Sequence, residues 1–130
     1  MSLAALTYVT LIARDVDRLA DFYGPLLGLQ EIAASRSEKY REFLTGGVKL
    51  GVAYAGAYAM LGLAAREPAE PVNTVLTFDV GALDQVAPLT RRAVRLGGRL
   101  VKPGFDTFFG QHQSVVKDPE GNVFRLSAAL

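Results

Sequence analysis

The sequence predicts an α+β fold made of two copies of one strand–helix–strand–strand–strand unit. Three observations predict it. The segment "YVTLIARDVDRLADF" from Tyr8 is matched by "VLTFDVGALDQVAPL" from Val75, an offset of 67 residues. "LLGL" at residues 26–29 is matched by "RLGG" at residues 95–98, an offset of 69. Short β-branched and aromatic runs alternate with helical patterns in both halves. A drift of two residues over a whole unit indicates a duplicated supersecondary unit. Each copy is too small to bury its own sheet face. Paired, two four-stranded sheets can curl into a cup around a shared cleft. A single α+β sandwich is the alternative. The expected organisation is one domain over residues 1–130, with a first module at 4–54, a linker at 55–71 and a second module at 72–130.

Each element follows from local chemistry. Residues 6–13, "LTYVTLIA", read as a strand. Asp15 is suited to cap a helix, because its carboxylate accepts from free first-turn amides. Val16, Leu19, Ala20, Tyr23 and Leu27 then recur at helical spacing, and Gly28 supplies the left-handed stop. Strands are expected at residues 30–34, 40–44 and 48–54, with Gly46-Gly47 turning the last pair. The Ala- and Gly-rich stretch 55–70 reads as a linker with a helical turn near Met60. Residues 72–80 restart the pattern as a strand. A helical stretch runs to about Leu96 and is closed by Gly97-Gly98. Pro88 suits a first helical turn, which puts the helix start near Ala87. Residues 99–102 read as a short strand and "PGFDTFFG" as a loop. Residues 111–117 and 122–127 read as a hairpin whose "DPEG" joint fits a type I turn.

Composition narrows the function. The chain has 130 residues, 50% hydrophobic, with no cysteine. That excludes disulfides, thiolate zinc sites, iron–sulfur clusters and a cysteine nucleophile. Fourteen basic against 13 acidic side chains leave a net charge of +1, unlike the basic excess of a nucleic-acid binder. Arg91, Arg92, Arg95 and Lys102 read as a solvated helix face. The longest uncharged stretch, residues 50–65, is 16 residues long, short of the roughly 20 a membrane span needs. A cytoplasmic protein with no membrane or nucleic-acid partner is expected.

"YVTLIARDVDRLADFYGPLLGL" resembles the opening of the vicinal oxygen chelate (VOC) superfamily, and "KDPEGNVFRL" at residues 117–126 resembles its closing hairpin. That superfamily includes glyoxalase I, bleomycin and fosfomycin resistance proteins and extradiol dioxygenases. The resemblance covers nearly the whole chain. It implies two βαβββ modules forming a cup, commonly completed in a homodimer. In metal-using members, His, Glu or occasionally Gln and Tyr from the first and last strand of each module hold one divalent cation. By this resemblance the ligand positions fall on Tyr8, Val75 and Arg125. The fourth falls on Lys49, Gly51 or Ala53. Valine cannot coordinate and arginine is always protonated. A guanidinium about 4 Å from a divalent ion repels it by roughly 8 kcal/mol at an effective dielectric near 20. No metal and no cofactor are therefore expected.

If Tyr8 and Arg125 face the cup, strand parity adds Leu6, Thr10, Ile12, Val75, Thr77, Val123 and Ser127. Phe78, Phe124 and Leu126 then pack beneath the helices. An apolar cup with a few polar points is a small-molecule pocket. Arg125 is expected to receive a ligand anion, with the Tyr8 hydroxyl as a second donor. An internal salt bridge, with Glu42 a candidate, is the alternative. His112, the only histidine, is the one side chain ready to act as a base near neutral pH. One hairpin register aims Gln111 and Gln113 into the cup, the other His112. Tyr54, with Tyr40, Tyr58, Phe108 and Phe109, offers stacking surfaces. Arg41-Glu42 reads as a solvated strand pair. The ligand-binding set is thus Tyr8, Thr10, Tyr54, Thr77, His112, Gln113 and Arg125. The expected function is metal-independent sequestration of an apolar or anionic small molecule, as in bleomycin-resistance-type proteins. The alternative is a metal-dependent lyase, isomerase or dioxygenase with an atypical ligand set.

Overall fold

A computed structural model describes residues 3–65 and 72–130. The chain divides into two compact units, residues 1–66 and 67–130. The first unit runs β1 (Tyr8–Ala13), α1 (Val16–Leu27), β2 (Gln30–Glu31), a 3₁₀ turn (Ala33–Ser35), β3 (Tyr40–Leu44), β4 (Lys49–Tyr54) and α2 (Gly56–Met60). Its sheet has the order β1-β4-β3-β2, with β1 parallel to β4 and the other pairs antiparallel. The second unit runs β5 (Val75–Asp79), α3 (Leu83–Arg95), β6 (Arg99–Asp106), β7 (Gln111–Lys117) and β8 (Val123–Ala129). Its order is β5-β8-β7-β6, again with the first pair parallel. The two units therefore share one topology, and the fold is two βαβββ modules with open mixed sheets. No helix among the described residues is long and apolar enough to cross a membrane.

In the first unit Asp15 caps α1 by accepting from the Arg18 amide at 3.1 Å, and Gly28 closes it with φ of 63°. Leu19, Ala20, Phe22, Tyr23 and Leu26 are buried on α1, and Phe43, Leu50 and Val52 on the sheet. The helix lies close: a Cβ on Gly24 would sit 2.9 Å from the Phe43 ring. In the second unit α3 buries Val86, Thr90 and Ala93, one turn apart, and packs on β6, β7 and β8. The Thr90 hydroxyl donates to the Val86 carbonyl at 2.6 Å. Its single proton is then used, so Ser114 on β7 donates to it at 2.7 Å. Asp118 organises the last hairpin. Its carboxylate accepts from the Glu120 and Asn122 amides at 2.8 and 3.0 Å, and Gly121 turns with φ of 85°.

Three expected elements differ. The strand expected at residues 30–34 ends at Glu31, and the small residues Ala33–Ser35 wind into a 3₁₀ turn. α3 starts at Leu83, with Pro88 inside it; burial of Val86, Thr90 and Ala93 outweighs the amide the proline lacks. β6 runs on to Asp106 through Pro103 and Gly104. It is an edge strand with irregular pairing between Leu100 and Phe105, which is where a strand tolerates proline. The small-residue stretch after β4 holds the helix Gly56–Met60. Linker residues 66–71 lie outside the described residues.

Candidate functional site

α1 and α3 each pack on one face of their sheet; the opposite face, termed the open face, carries exposed side chains such as Tyr8 and Val75 and buried ones such as Glu42, Gln113 and Ser127. Pairing across the strands assigns side chains to faces, since partners share a face. In the first unit Tyr8 pairs with Lys49, Thr10 with Gly51 and Gly51 with Glu42. These residues, with Ile12, Ala53, Tyr40 and Leu44, form the open face. In the second unit Val75 pairs with Val123, Thr77 with Arg125 and Arg125 with Val115. Ser127 pairs with Gln113, and Ala129 with Gln111. The shared topology aligns Thr10–Gly51 with Thr77–Arg125, so Gly51 is the counterpart of Arg125 in the first unit.

Arg125 projects from this open face, and its Nε donates to the Thr77 hydroxyl at 2.9 Å. It makes no ion pair among the described residues. Both terminal amino groups of its fork are left for a ligand or for water. Ser127 donates to the Gln111 side-chain carbonyl at 2.9 Å, and Gln113 is buried beside it. The apolar neighbours are Val75, Val115 and Val123. The register thus places Gln111 and Gln113 on the face of Arg125.

His112 takes the opposite parity, with Ser114 and Val116. Its Nδ1 lies 2.8 Å from Asp106 Oδ1, and its ring covers Gly104, where a Cβ would meet Nε2 at 2.8 Å. Tyr54 pairs with Ala13 and so has the parity of the helix-covered face. Its ring lies over Gly56, with the Lys39 ammonium 5.1 Å from its centre. Thus Thr77, Gln113 and Arg125 share one face, Tyr8 and Thr10 share another, and His112 and Tyr54 lie on neither. Phe108 and Phe109 stack edge-to-face at the β6–β7 turn, and Phe108 is fully exposed.

The Arg41-Glu42 pair is not solvated; both side chains are buried, on opposite faces. Arg41 points under α1. Its fork grips Glu31 through Nε at 3.1 Å and Nη2 at 2.7 Å, while Nη1 reaches Asp21 at 2.9 Å and Asp17 at 3.2 Å. The hydrogen bond from Arg41 holds the Glu31 carboxyl below its ordinary value. Glu42 sits on the open face at 6% exposure. Ser35 donates to it at 2.7 Å and Tyr40 at 2.9 Å. The Ser35 bond, and then the Tyr40 bond, keep this carboxyl below its ordinary value against the cost of burial. Burial first, and then the Glu42 charge, push the Tyr40 hydroxyl up to about 12. Gly51 makes this possible, since a Cβ there would lie 2.6 Å from the Tyr40 oxygen. Sequence reasoning missed this network. Its signal was the alternation Tyr40, Glu42, Leu44 opposite a glycine.

A depressed carboxyl contributes stability above its unfolded value and loses it as pH falls through the folded one. For Glu42 that window starts near the ordinary 4.5 and extends below it. Glu42→Gln is expected to lower the melting temperature at pH 7 and to flatten its decline below pH 4.5. Melting curves from pH 7 to 3 check this. A slope equal to that of the wild type would contradict it.

Among the described residues no three His, Asp or Glu side chains converge in a way that could hold a metal. A family model for a glyoxalase-like domain matches residues 8–127. A glyoxalase/bleomycin resistance protein/dioxygenase family enzyme from Burkholderia phytofirmans PsJN is 33% identical, with 98% of this chain and 100% of that one covered and a TM-score of 0.91. A glyoxalase-related enzyme from Fulvimarina pelagi is 26% identical over 97% of this chain and 88% of that one, with a TM-score of 0.86. At 18% identity, the fosfomycin resistance protein FosX from Mesorhizobium loti shares the fold, with a TM-score of 0.70, 100% of this chain and 95% of that one covered. A search of curated proteins gives no match. Duplicated topology, family model and structural relatives agree: the chain belongs to the glyoxalase-like domain family, within the vicinal oxygen chelate superfamily.

Proposed function

We propose that this protein binds a small, partly apolar, anionic molecule without a metal ion and without transforming it, as a cytoplasmic homodimer. The carrying observation is Arg125: a guanidinium on an open sheet face with the neutral Thr77 hydroxyl as its hydrogen-bond partner. Such a group favours a carboxylate or similar oxyanion, which its planar fork can hold through two charge-assisted bonds. The surrounding valines suit an apolar body, and Gln111, Gln113 and Ser127 supply orienting polar groups.

By the family resemblance, the positions of a divalent cation's ligands carry Tyr8 and Gly51 in the first unit and Val75 and Arg125 in the second. This set does not fit a divalent ion. Two of the four have no donor atom on the side chain, one is a neutral phenol and one a fixed cation. No reaction step is therefore derived through a metal.

A thermal-shift panel of carboxylates, matched amines and divalent cations tests the proposal. Ligand at a hundredfold excess over its Kd stabilises by about 2.7 kcal/mol. Selected carboxylates are expected to raise the melting temperature by several degrees, and the amines and cations to leave it unchanged. The alternative is a metal-dependent lyase, isomerase or dioxygenase with an atypical ligand set. It draws on the description of the Burkholderia relative as an enzyme. It predicts the reverse: stabilisation by a divalent cation alone, with metal retained at stoichiometry through purification.

A further inference from the structure

The open face of the first unit carries a charged group that the Arg125 site does not use. Lys49 opens β4 and is flanked on this face by Tyr8 on β1 and Leu44 on β3. Its Nζ lies 3.3 Å from the Tyr8 hydroxyl and 5.2 Å from the centre of the Tyr8 ring. It makes no ion pair among the described residues.

Counting protons decides what each group can still offer. An ammonium has three donors and no acceptor, so Lys49 donates to Tyr8. The phenol accepts with a lone pair and must send its one proton elsewhere. The Tyr8 hydroxyl also helps hold the Glu42 carboxyl down. With one proton given to Tyr8, Lys49 keeps two donors for a ligand. Glu42 itself is turned into its donors and nearly covered. The Lys49 charge reaches this carboxylate and helps to hold it down.

We infer that Lys49 is an anion-binding residue, which takes the carboxylate of a small acid with an aromatic or branched apolar body. Tyr8 is a positioning residue: its ring and hydroxyl hold the ammonium above the sheet. Tyr8 and Leu44, each 43% exposed, flank the cation with the apolar surface such a body would cover. The ligand class rests on the reading of the protein as a binder of small acids. The site shares no residue with Arg125, and Arg125→Ala tests whether it depends on that group.

The full chain has four lysines, so lysine Cε resonances of ¹³C-lysine-labelled protein are individually assignable by substitution. Benzoate is the probe and benzylamine its charge-reversed control. Benzoate is expected to shift the Lys49 Cε resonance saturably, and benzylamine to leave it in place. The response is expected to persist in Arg125→Ala. Lys49→Met keeps the stem, removes the charge and is expected to weaken this binding about tenfold, the worth of one charge-assisted hydrogen bond. Tyr8→Phe is expected to shift the resting Lys49 resonance and to weaken binding by a smaller factor. An unmoved Lys49 resonance at saturating benzoate overturns the inference, as does unchanged affinity in Lys49→Met. Loss of the Lys49 response in Arg125→Ala overturns the assignment of the carboxylate to Lys49. Full benzoate affinity at the second unit in Arg125→Ala, with the Lys49 response intact, would instead sink the Arg125 reading alone.

Discussion

Arg41→Ala is expected to lower stability by about 3 kcal/mol, the low end of what removing one partner from a buried ion pair costs. The Arg41 side chain is 5% exposed and joins three elements at once: β3 through its own backbone, β2 through Glu31 and α1 through Asp17 and Asp21. The three carboxylates are unequal. Asp17 and Asp21 are about two-thirds exposed and keep their water when the guanidinium goes, so their share is small. Glu31 is 18% exposed and loses a two-bond partner. The remaining loss comes from the space left beneath α1. Arg41→Lys is expected to recover less than half, since an ammonium cannot reproduce the fork. Urea unfolding gives the value directly. A loss below about 0.5 kcal/mol, the range of ordinary surface substitutions, would show that the cluster is a surface decoration.

Arg125→Ala is expected to do the opposite: little to stability and much to binding. Arg125 is only half-buried and its partner is a neutral hydroxyl, so its removal leaves no orphaned charge. Each charge-assisted bond it would make to a ligand carboxylate is worth about 1.5–3 kcal/mol. Because the group is partly solvated, the pair together is taken at the worth of one such bond, so loss of the guanidinium should weaken a carboxylate hit by roughly 10- to 100-fold. Arg125→Lys should fall between, keeping charge and losing the two-pronged geometry. Because the group is partly solvated, the wild-type affinity should also decline with added salt. Titration calorimetry on the strongest carboxylate of the thermal-shift panel reads all of these. Equal affinity in Arg125→Ala would remove Arg125 from the binding site.

Much of this was legible in the sequence because the signals were local. Asp15 and Gly28 bracket α1, and the repeat alone specifies that both sheets share one strand order. "DPEG" marks a turn whose aspartate supplies three of its hydrogen bonds. What escaped depended on tertiary context. Pro103 reads as a loop residue until β6 is known to be an edge strand. Pro88 reads as a helix start until the buried stripe through Val86, Thr90 and Ala93 is known to reach further back. Arg41 and Glu42 look like an exposed charge pair until alternation sends one under α1 and the other toward Tyr40. The hairpin register was open in the sequence, and pairing of Ser127 with Gln113 decides it. The family resemblance put equivalent positions at Tyr8, Val75 and Arg125 but left the β4 position open among Lys49, Gly51 and Ala53, and the Thr10–Gly51 pairing makes Gly51 the register counterpart of Arg125.

The proposed function requires that the Arg125 guanidinium receive the ligand's anion without a bound metal ion. Calorimetric titration of one carboxylate ligand into protein before and after exhaustive chelation tests it most directly. The same affinity is expected in both samples, and its loss in chelated Arg125→Ala. Affinity that vanishes on chelation and returns with a divalent cation would contradict it.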